Sequence, residues 1–423
     1  MNKLILTALS SLMGAALAIG IISVIPDEPL VQRVIEHAHA ADAGEFAPTM
    51  EGILDAAIEF GNKIETLVNG DEIFPAMLAA IGDARKTINF ETYIYGSGDI
   101  AERFAAALSE RARDGIGVNV ILDYVGSLPM EERLIERMQE AGVKLVRFRP
   151  LHWYTIDRLN YRSHHKLLVI DGRLGFTGGV GIADEWKGDA RNPNEWRDNH
   201  YRLEGGIVAG LQSAFADHWL ETTGEVLRGE AYFPALETRG SVALQSMKSS
   251  PFSGNQTLYL SLMLAVSAAK RHIRIGIAYF LPNAATLAQI LEARNRGVEI
   301  ELIVPGIWTD TEEVRRASRH FWGQLLKAGV KIYEYEPTMY HVKVVIVDDA
   351  WATLGTANLD ERSFRFNDET NINVYDKVFV KEQIDLFEAD KLLAREVSLE
   401  EWQRRPLQIK LSDWFWSHFR SQF

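Results

Sequence analysis

The chain contains no cysteine in its 423 residues. Disulfides, thiolate-held zinc and cysteine nucleophiles are therefore excluded. A surplus of positive charge is also lacking. Lys and Arg number 45 against 58 Asp and Glu, a formal net charge of −13. Proteins that grip a phosphodiester polymer generally carry a basic surface, so no nucleic-acid partner is expected. Four or more His, Asp or Glu at the short spacings of a metal site are not seen, and neither a metal nor another cofactor is expected. What remains is an ordinary globular composition, 47% hydrophobic and 24% charged, long enough for two domains with cores.

One stretch departs from that ordinariness. Leu4 to Ile25 carries no charged side chain and ends at Pro26-Asp27-Glu28. At about 1.5 Å rise per residue, such a run spans a bilayer as a helix. A secretory signal ending at Ala38-His39-Ala40 is the rival reading. The run is too long for a signal core and the small-residue site lies well beyond its end. The expectation is an uncleaved, single-pass anchor in the cell membrane. Lys3 and the terminal amine before the span, set against Arg33 after it, point the catalytic body to the outer face.

The chain then says one phrase twice. His164-His165-Lys166, four apolar residues, Asp171 and six residues to Gly178-Gly179 make the first copy. His341-Val342-Lys343, four apolar residues, Asp348 and six residues to Gly355-Thr356 make the second. Corresponding members share one offset (341−164, 343−166, 348−171 and 355−178 all equal 177). Side chains two apart on a strand share a face, so each His and Lys enter one pocket while the apolar run buries the strand.

The repetition extends beyond the phrase. A strand-like Thr92 to Tyr95, a helical Ile100 to Arg113 and an alternating Gly115 to Leu122 are matched by Ala278 to Phe280, Ala285 to Arg296 and Gly297 to Val304. Strands alternating with helices predict an α/β fold of two similar domains, each a mixed β-sheet flanked by helices. Pseudo-twofold packing of the halves would bring His164 and His341 into one pocket. The expected divisions are an anchor at 1–25, a linker and lead-in helix at 26–60, a first domain at 61–228, an inter-domain linker at 229–254, a second domain at 255–395 and an amphipathic tail at 396–423. Gly229, Pro234, Gly240, Pro251 and Gly254 mark the central boundary. The tail, with Trp414, Phe415, Trp416 and Phe419, reads either as a lipid-interface helix or as one packed on the body. Trp153, Tyr154 and Trp308 are candidates to line an acyl-chain entry.

Two histidines and two lysines suit phosphodiester chemistry. One imidazole can attack phosphorus while the other protonates the leaving oxygen, and the ammonium groups hold the non-bridging oxygens. A nucleophilic imidazole works best when its second nitrogen donates to a carboxylate. Glu369, 28 residues after His341, and Asp198, 34 after His164, are the candidate orienters. Asp171 and Asp348 belong to the repeated motif and so to the candidate catalytic set, yet their place after four apolar residues suits tying the following turn.

These motifs resemble the phospholipase D superfamily, whose signature is the doubled H-x-K-x4-D phrase. Glu91 to Tyr95, Thr177 to Trp186, Tyr279 to Pro282 and Leu354 to Ser363 further resemble its cardiolipin-synthase-like branch. The resemblance covers about Gly61 to Arg395. It implies a ping-pong reaction through a phosphohistidine, with His164 as nucleophile and His341 as general acid. It also implies supporting polar positions at Thr356 and Asn358. The first copy departs from the pattern, with Gly181 where the family has Asn. The expected enzyme is a phosphatidyl transferase acting on phospholipids such as phosphatidylglycerol. A phospholipase D releasing phosphatidate is the alternative, ahead of a nuclease. Because no metal ligands cluster in the sequence, EDTA is expected to leave most activity intact. Complete loss restored by a divalent ion would contradict this.

Overall fold

The computed structural model describes residues 31, 33–36, 39–152, 160–250 and 254–423. The Leu4 to Ile25 segment lies outside them. Among the described residues no helix is long and apolar enough to cross a membrane.

The first half supplies strands β1 (Ile58–Val68), β2 (Thr87–Thr92), β3 (Gly117–Asp123), β4 (Lys144–Phe148), β5 (Arg162–Ser163), β6 (Lys166–Ile170), β7 (Leu174–Gly178) and β8 (Asn199–Glu204). The second supplies β9 (Val242–Ser249), β10 (His272–Ile277), β11 (Glu299–Pro305), β12 (Lys331–Tyr335), β13 (Lys343–Val347), β14 (Trp351–Gly355), β15 (Asn367–Val374) and β16 (Ala394–Glu396). All join in one mixed sheet. From its centre the order runs β1-β8-β7-β6-β2-β3-β4 one way and β9-β15-β14-β13-β10-β11-β12-β16 the other. Apart from β16, each strand has its counterpart at the same distance from the centre, and β5 pairs with β15 off this path. Register repeats as well: Lys166 stands opposite Thr92, and Lys343 opposite Ile277.

Helices cover both faces. Those at Asn69–Asp83, Asp99–Arg113 and Glu132–Glu140 pack a core in the first half. Those at Phe46–Leu54, Thr257–Ala268, Ala284–Asn295 and Glu312–Ala328 pack one in the second. On the opposite face, Val208–Thr223 and Lys377–Leu392 share a single core, in which Leu211, Phe215 and Trp219 cluster with Tyr340, Val344 and Phe379. Burial on both faces explains why β6 and β13 read as unbroken apolar runs.

Two expected boundaries shift. Residues 229–254, expected as a linker, contain β9, which pairs with β1 at the centre of the sheet. Glycines and prolines flank that strand and obscured it. Likewise β1 begins at Ile58, inside the stretch assigned to the lead-in. The tail does pack on the body: Trp402 Nε1 donates to Arg319 O at 2.8 Å, and Arg316 reaches Ser412 Oγ at 2.7 Å.

The motif aspartates explain how the strands are held. Asp348 accepts from the backbone N–H of Lys270, Arg271 and His272 at 2.6, 2.7 and 2.8 Å. Asp171 does the same for Arg85, Lys86 and Thr87 at 3.0, 2.6 and 2.9 Å. Each carboxylate thus ties the entry of the neighbouring antiparallel strand, β10 or β2, instead of its own turn. Asp348 is 2% exposed, whereas Asp171 is only half-buried. Asp348→Ala is expected to cost about 1–3 kcal/mol by leaving three part-buried backbone donors without their buried acceptor. Asp171→Ala should cost less. Urea unfolding checks both values, and equal costs would contradict the burial argument.

Candidate active site

His164 lies between β5 and β6, and His341 lies just before β13. Both line one cavity of about 310 Å³, together with Lys166 and Asn358. The carboxylates cross between the halves. His164 Nδ1 lies 2.9 Å from both oxygens of Glu369, which sits on β15 of the second half. His341 Nδ1 lies 2.7 Å from Asp198 Oδ2 of the first half. The backbone enforces this exchange. His164 N donates to Asp368 O at 2.9 Å, next to Glu369, and His341 N donates to Arg197 O at 2.8 Å, next to Asp198. Arg197 in turn grips Asp390 of the second half through two bonds of 2.8 and 2.9 Å. With each Nδ1 held by a carboxylate, each Nε2 points away from that carboxylate, and that of His341 meets Lys343 Nζ at 3.3 Å.

Burial dominates the electrostatics. It pushes His164 down to about 4, with Lys166 and Lys343 reinforcing and Glu369 opposing. Lys166 falls to about 7, again through burial first and then the neighbouring Lys343. His341 and Lys343 are lowered by burial too, and Lys343 Nζ stands 3.1 and 3.3 Å from the nitrogens of His341. Burial works to raise Glu369 and Asp198, but the facing histidines and lysines outweigh it and hold both below the usual carboxylate range. Both imidazoles are thus neutral near pH 7 and can donate Nδ1–H to a carboxylate.

The two halves complete this arrangement differently. Thr356 Oγ1 donates to Glu369 Oε2 at 2.5 Å. Its counterpart in the first copy is Gly179, where an added Cβ would fall 2.1 Å from Asp198 Oδ1. The missing hydroxyl is replaced by Trp186, whose Nε1 donates to Asp198 Oδ2 at 3.0 Å. The same indole fills the space that a side chain at Gly181 would take, 3.1 Å from its Cβ position. Trp186 and Trp196 both pack on the ring of His341, with centroids 5.3 and 5.4 Å away, whereas His164 meets Tyr93 at 5.3 Å. The departure at Gly181 is therefore one side of a substitution by tryptophan.

Of the other expected residues, Asn358 lines the cavity, while Asp171 and Asp348 are spent on backbone and do not. Trp153 and Tyr154 fall outside the described residues. Trp308 is partly exposed and is not in the cavity wall, which instead takes Asp310 and Thr311 from the same loop. Sequence reasoning missed Tyr93, Asp310, Asp360 and Arg362 as lining residues. Asp360 and Arg362 follow the second motif closely enough to have been suspected. Asp310 carried no local signal.

Beside the site, Glu91, His165 and His218 form the one group that could hold a metal ion among the described residues. Glu91 Oε1 already accepts from Ser163 Oγ at 2.5 Å and His218 Nδ1 at 2.7 Å. Burial opposes protonation of His218, yet Glu91 and Asp368 push it up to about 9. A proton on His218 offsets part of the negative charge that Glu91 and Asp368 bury here.

A doubled H-x-K-x4-D motif on paired halves, with two carboxylate-held histidines in one cavity, defines a phospholipase-D-type enzyme. Residues 77–186 and 262–391 match the family described as cardiolipin synthase, PLD-like domain, and the chain belongs to that family. It is 33% identical over 358 residues to cardiolipin synthase 1 of Bacillus cereus, covering 82% of this chain and 70% of that one. It is also 33% identical over 355 residues to the major cardiolipin synthase ClsA of Bacillus subtilis, covering 83% and 73%. In fold it is similar to phosphatidylserine synthase of Haemophilus influenzae, with a TM-score of 0.68 at 14% identity over 89% of this chain and 98% of that one.

The depressed His164 sets a pH dependence. Below 6.5 the unfolded chain takes up a proton that the folded site refuses until about 4. That contribution to stability is complete above 6.5 and is lost as the pH falls toward 4. The urea midpoint of the wild type should therefore drop further over this window than that of His164→Gln. Parallel drops would contradict the assignment.

Proposed function

We propose that the enzyme is a membrane-anchored phosphatidyl transferase that joins two phosphatidylglycerols into cardiolipin through a phosphohistidine. The observation that carries this reading is the reciprocal pair His164–Glu369 and His341–Asp198 around one cavity, in a chain of the cardiolipin synthase family. In the first step His164 Nε2 attacks the donor phosphorus, and the P–O bond to glycerol breaks. His341 gives the leaving oxygen its proton. Lys166 and Lys343 offset the charge gathering on the non-bridging oxygens. In the second step His341 takes the proton of an acceptor hydroxyl, whose oxygen attacks phosphorus and displaces His164. Glu369 and Asp198 hold the two imidazoles in the required tautomer and steady the charge each acquires. The approaching phosphodiester is itself an anion and favours protonation of His341 when it is needed.

Anchoring through Leu4 to Ile25, with the catalytic body on the outer face of the cell membrane, is part of the same reading. The exposed Leu411, Trp414, Phe415 and Phe419 on the outer side of the packed tail suit a lipid surface. A nucleic-acid substrate fits poorly with the net charge of −13 and with Asp310 and Asp360 in the cavity wall.

The test is to incubate the detergent-solubilised protein with labelled phosphatidylglycerol. Cardiolipin plus glycerol is expected. Phosphatidate alone would replace transfer by hydrolysis, and neither product would sink both readings. His164→Ala and His341→Ala should each lower turnover at least about 10²–10⁴-fold without loss of fold. With a p-nitrophenyl phosphodiester, whose leaving group needs little protonation, His341→Ala should still give a burst of nitrophenol and trap the remaining phosphoryl monoester on His164. His164→Ala should give none. Phosphate mapped to His341 would reverse the two roles.

A further inference from the structure

The helix Leu407–Ser417 packs on the body with its apolar side outward. A surface helix ordinarily buries its apolar stripe and shows the polar one to water. Here the two buried side chains are Asp413 and Ser417. Asp413 accepts from Arg405 at 2.7 Å and lies 3.6 Å from Arg319, while Ser412 accepts from Arg316 at 2.7 Å. Polar groups thus pin the inner face, helped by the partly buried Trp416. Leu407, Leu411, Trp414 and Phe415 point the other way, and all are half or more exposed. Spaced at i, i+4, i+7 and i+8, they form one stripe, which the exposed Phe419 extends past the end of the helix. An apolar stripe held outward by buried polar contacts marks a binding face.

Two further observations say what covers it. The tail is basic within an acidic chain: residues 404–423 hold Arg404, Arg405, Lys410 and Arg420 against one acid, Asp413, while the whole chain carries −13. Lys410 is exposed, and Arg420 rests over the ring of Phe321 at 5.5 Å. The stripe also adjoins the catalytic cavity. Phe423 lines that cavity, and Gln422 O accepts from Arg362, another residue of its wall, at 3.2 Å. A second element repeats the arrangement. The loop after β11 sends Asp310 and Thr311 to the wall and leaves Ile307 and Trp308 exposed.

We propose that the outer face of residues 407–419, together with Ile307 and Trp308, docks on an anionic phospholipid leaflet and holds the mouth of the cavity at head-group level. The proposal rests on the membrane reading above and adds a second attachment that fixes orientation. Leu4 to Ile25 would tether the body yet leave it free to turn. A phosphatidyl group whose acyl chains stay in the leaflet can bring its phosphorus to His164 only where the mouth meets the head groups. Aromatic and aliphatic side chains enter the acyl boundary while Lys410 and Arg420 stay among the phosphates. A second copy of the chain fits this face less well. Two-fold pairing would bring the same cations together across the axis, on two bodies that each carry −13.

The lack of cysteine supplies the test. Phe415→Cys, Leu411→Cys and Ile307→Cys each give the full-length chain a single thiol, at an exposed position where a nitroxide label displaces no core packing. Val378→Cys is the control, 82% exposed and beyond the end of β15 remote from Glu369. The labelled proteins are reconstituted in vesicles of phosphatidylcholine, alone or mixed equally with phosphatidylglycerol, whose charge survives conversion to cardiolipin. Oxygen, which concentrates in hydrocarbon, and a water-soluble nickel chelate then report the depth of each label by EPR. In mixed vesicles the labels at 307, 411 and 415 should meet oxygen more than nickel, and the label at 378 the reverse. Lys410→Gln with Arg420→Gln should lower the ratio of docked to undocked label at 415 about fivefold for each charge removed. Readings at 307, 411 and 415 that match those at 378, from protein that still floats with both kinds of vesicle, would overturn the docking face and leave the anchor intact. Equal docking on both kinds of vesicle would overturn the anionic leaflet as partner. Spin–spin broadening at 415 that disappears on dilution with unlabelled protein would give the face to a second copy instead. Protein that floats with neither kind would remove docking face and anchor together.

Discussion

Two backbone hydrogen bonds that cross between the halves govern everything at the site. His164 N to Asp368 O and His341 N to Arg197 O set each imidazole beside the residue that follows its acceptor, Glu369 or Asp198. Once that register is in place, the Nδ1–carboxylate contacts and the common cavity follow from side-chain reach alone. The crossing also needs the halves locked together. The antiparallel pairing of β1 with β9 and the apolar core shared by helices Val208–Thr223 and Lys377–Leu392 provide the lock. Arg197, bonded at once to Asp390 and to Asp198 O, joins that lock to the site.

Burial is what makes the chemistry possible and also what makes it costly. Two buried lysines and two buried histidines hold one another's protons off, and both carboxylates stay ionised because those four groups face them. A bound phosphodiester changes the balance by its own charge. Groups poised near loss of their protons can then respond to the substrate instead of to bulk pH.

Much of this was legible in the chain because it is local. A constant offset between two motifs, a period of two on the strands and apolar runs after each lysine all survive folding unchanged. Glu369 and Asp198 could be picked out as orienters, but their spacing could not say that each serves the other half's histidine. That is a tertiary fact. β9 was hidden because its alternation is short and hemmed by Gly240 and Pro251. Trp186 was hidden for a subtler reason. Its role appears only when Gly179 and Gly181 are set against Thr356 and Asn358, and the gap they leave is seen to be filled from seven and five residues downstream. Asp310 reaches the cavity from the loop after β11, and the counterpart loop after β3 holds no aspartate to give it away.

The tryptophan exchange has a consequence for descent. If a shorter ancestor carried one motif and assembled as two identical subunits, both histidines would have had to share a single kind of support. Either a threonine or an indole could have stood behind the carboxylate, but never one of each. Joining the copies in one polypeptide released that constraint. Thr356 behind Glu369 and Trp186 behind Asp198 are a pairing that two identical subunits cannot provide, and it gives the two histidines different surroundings.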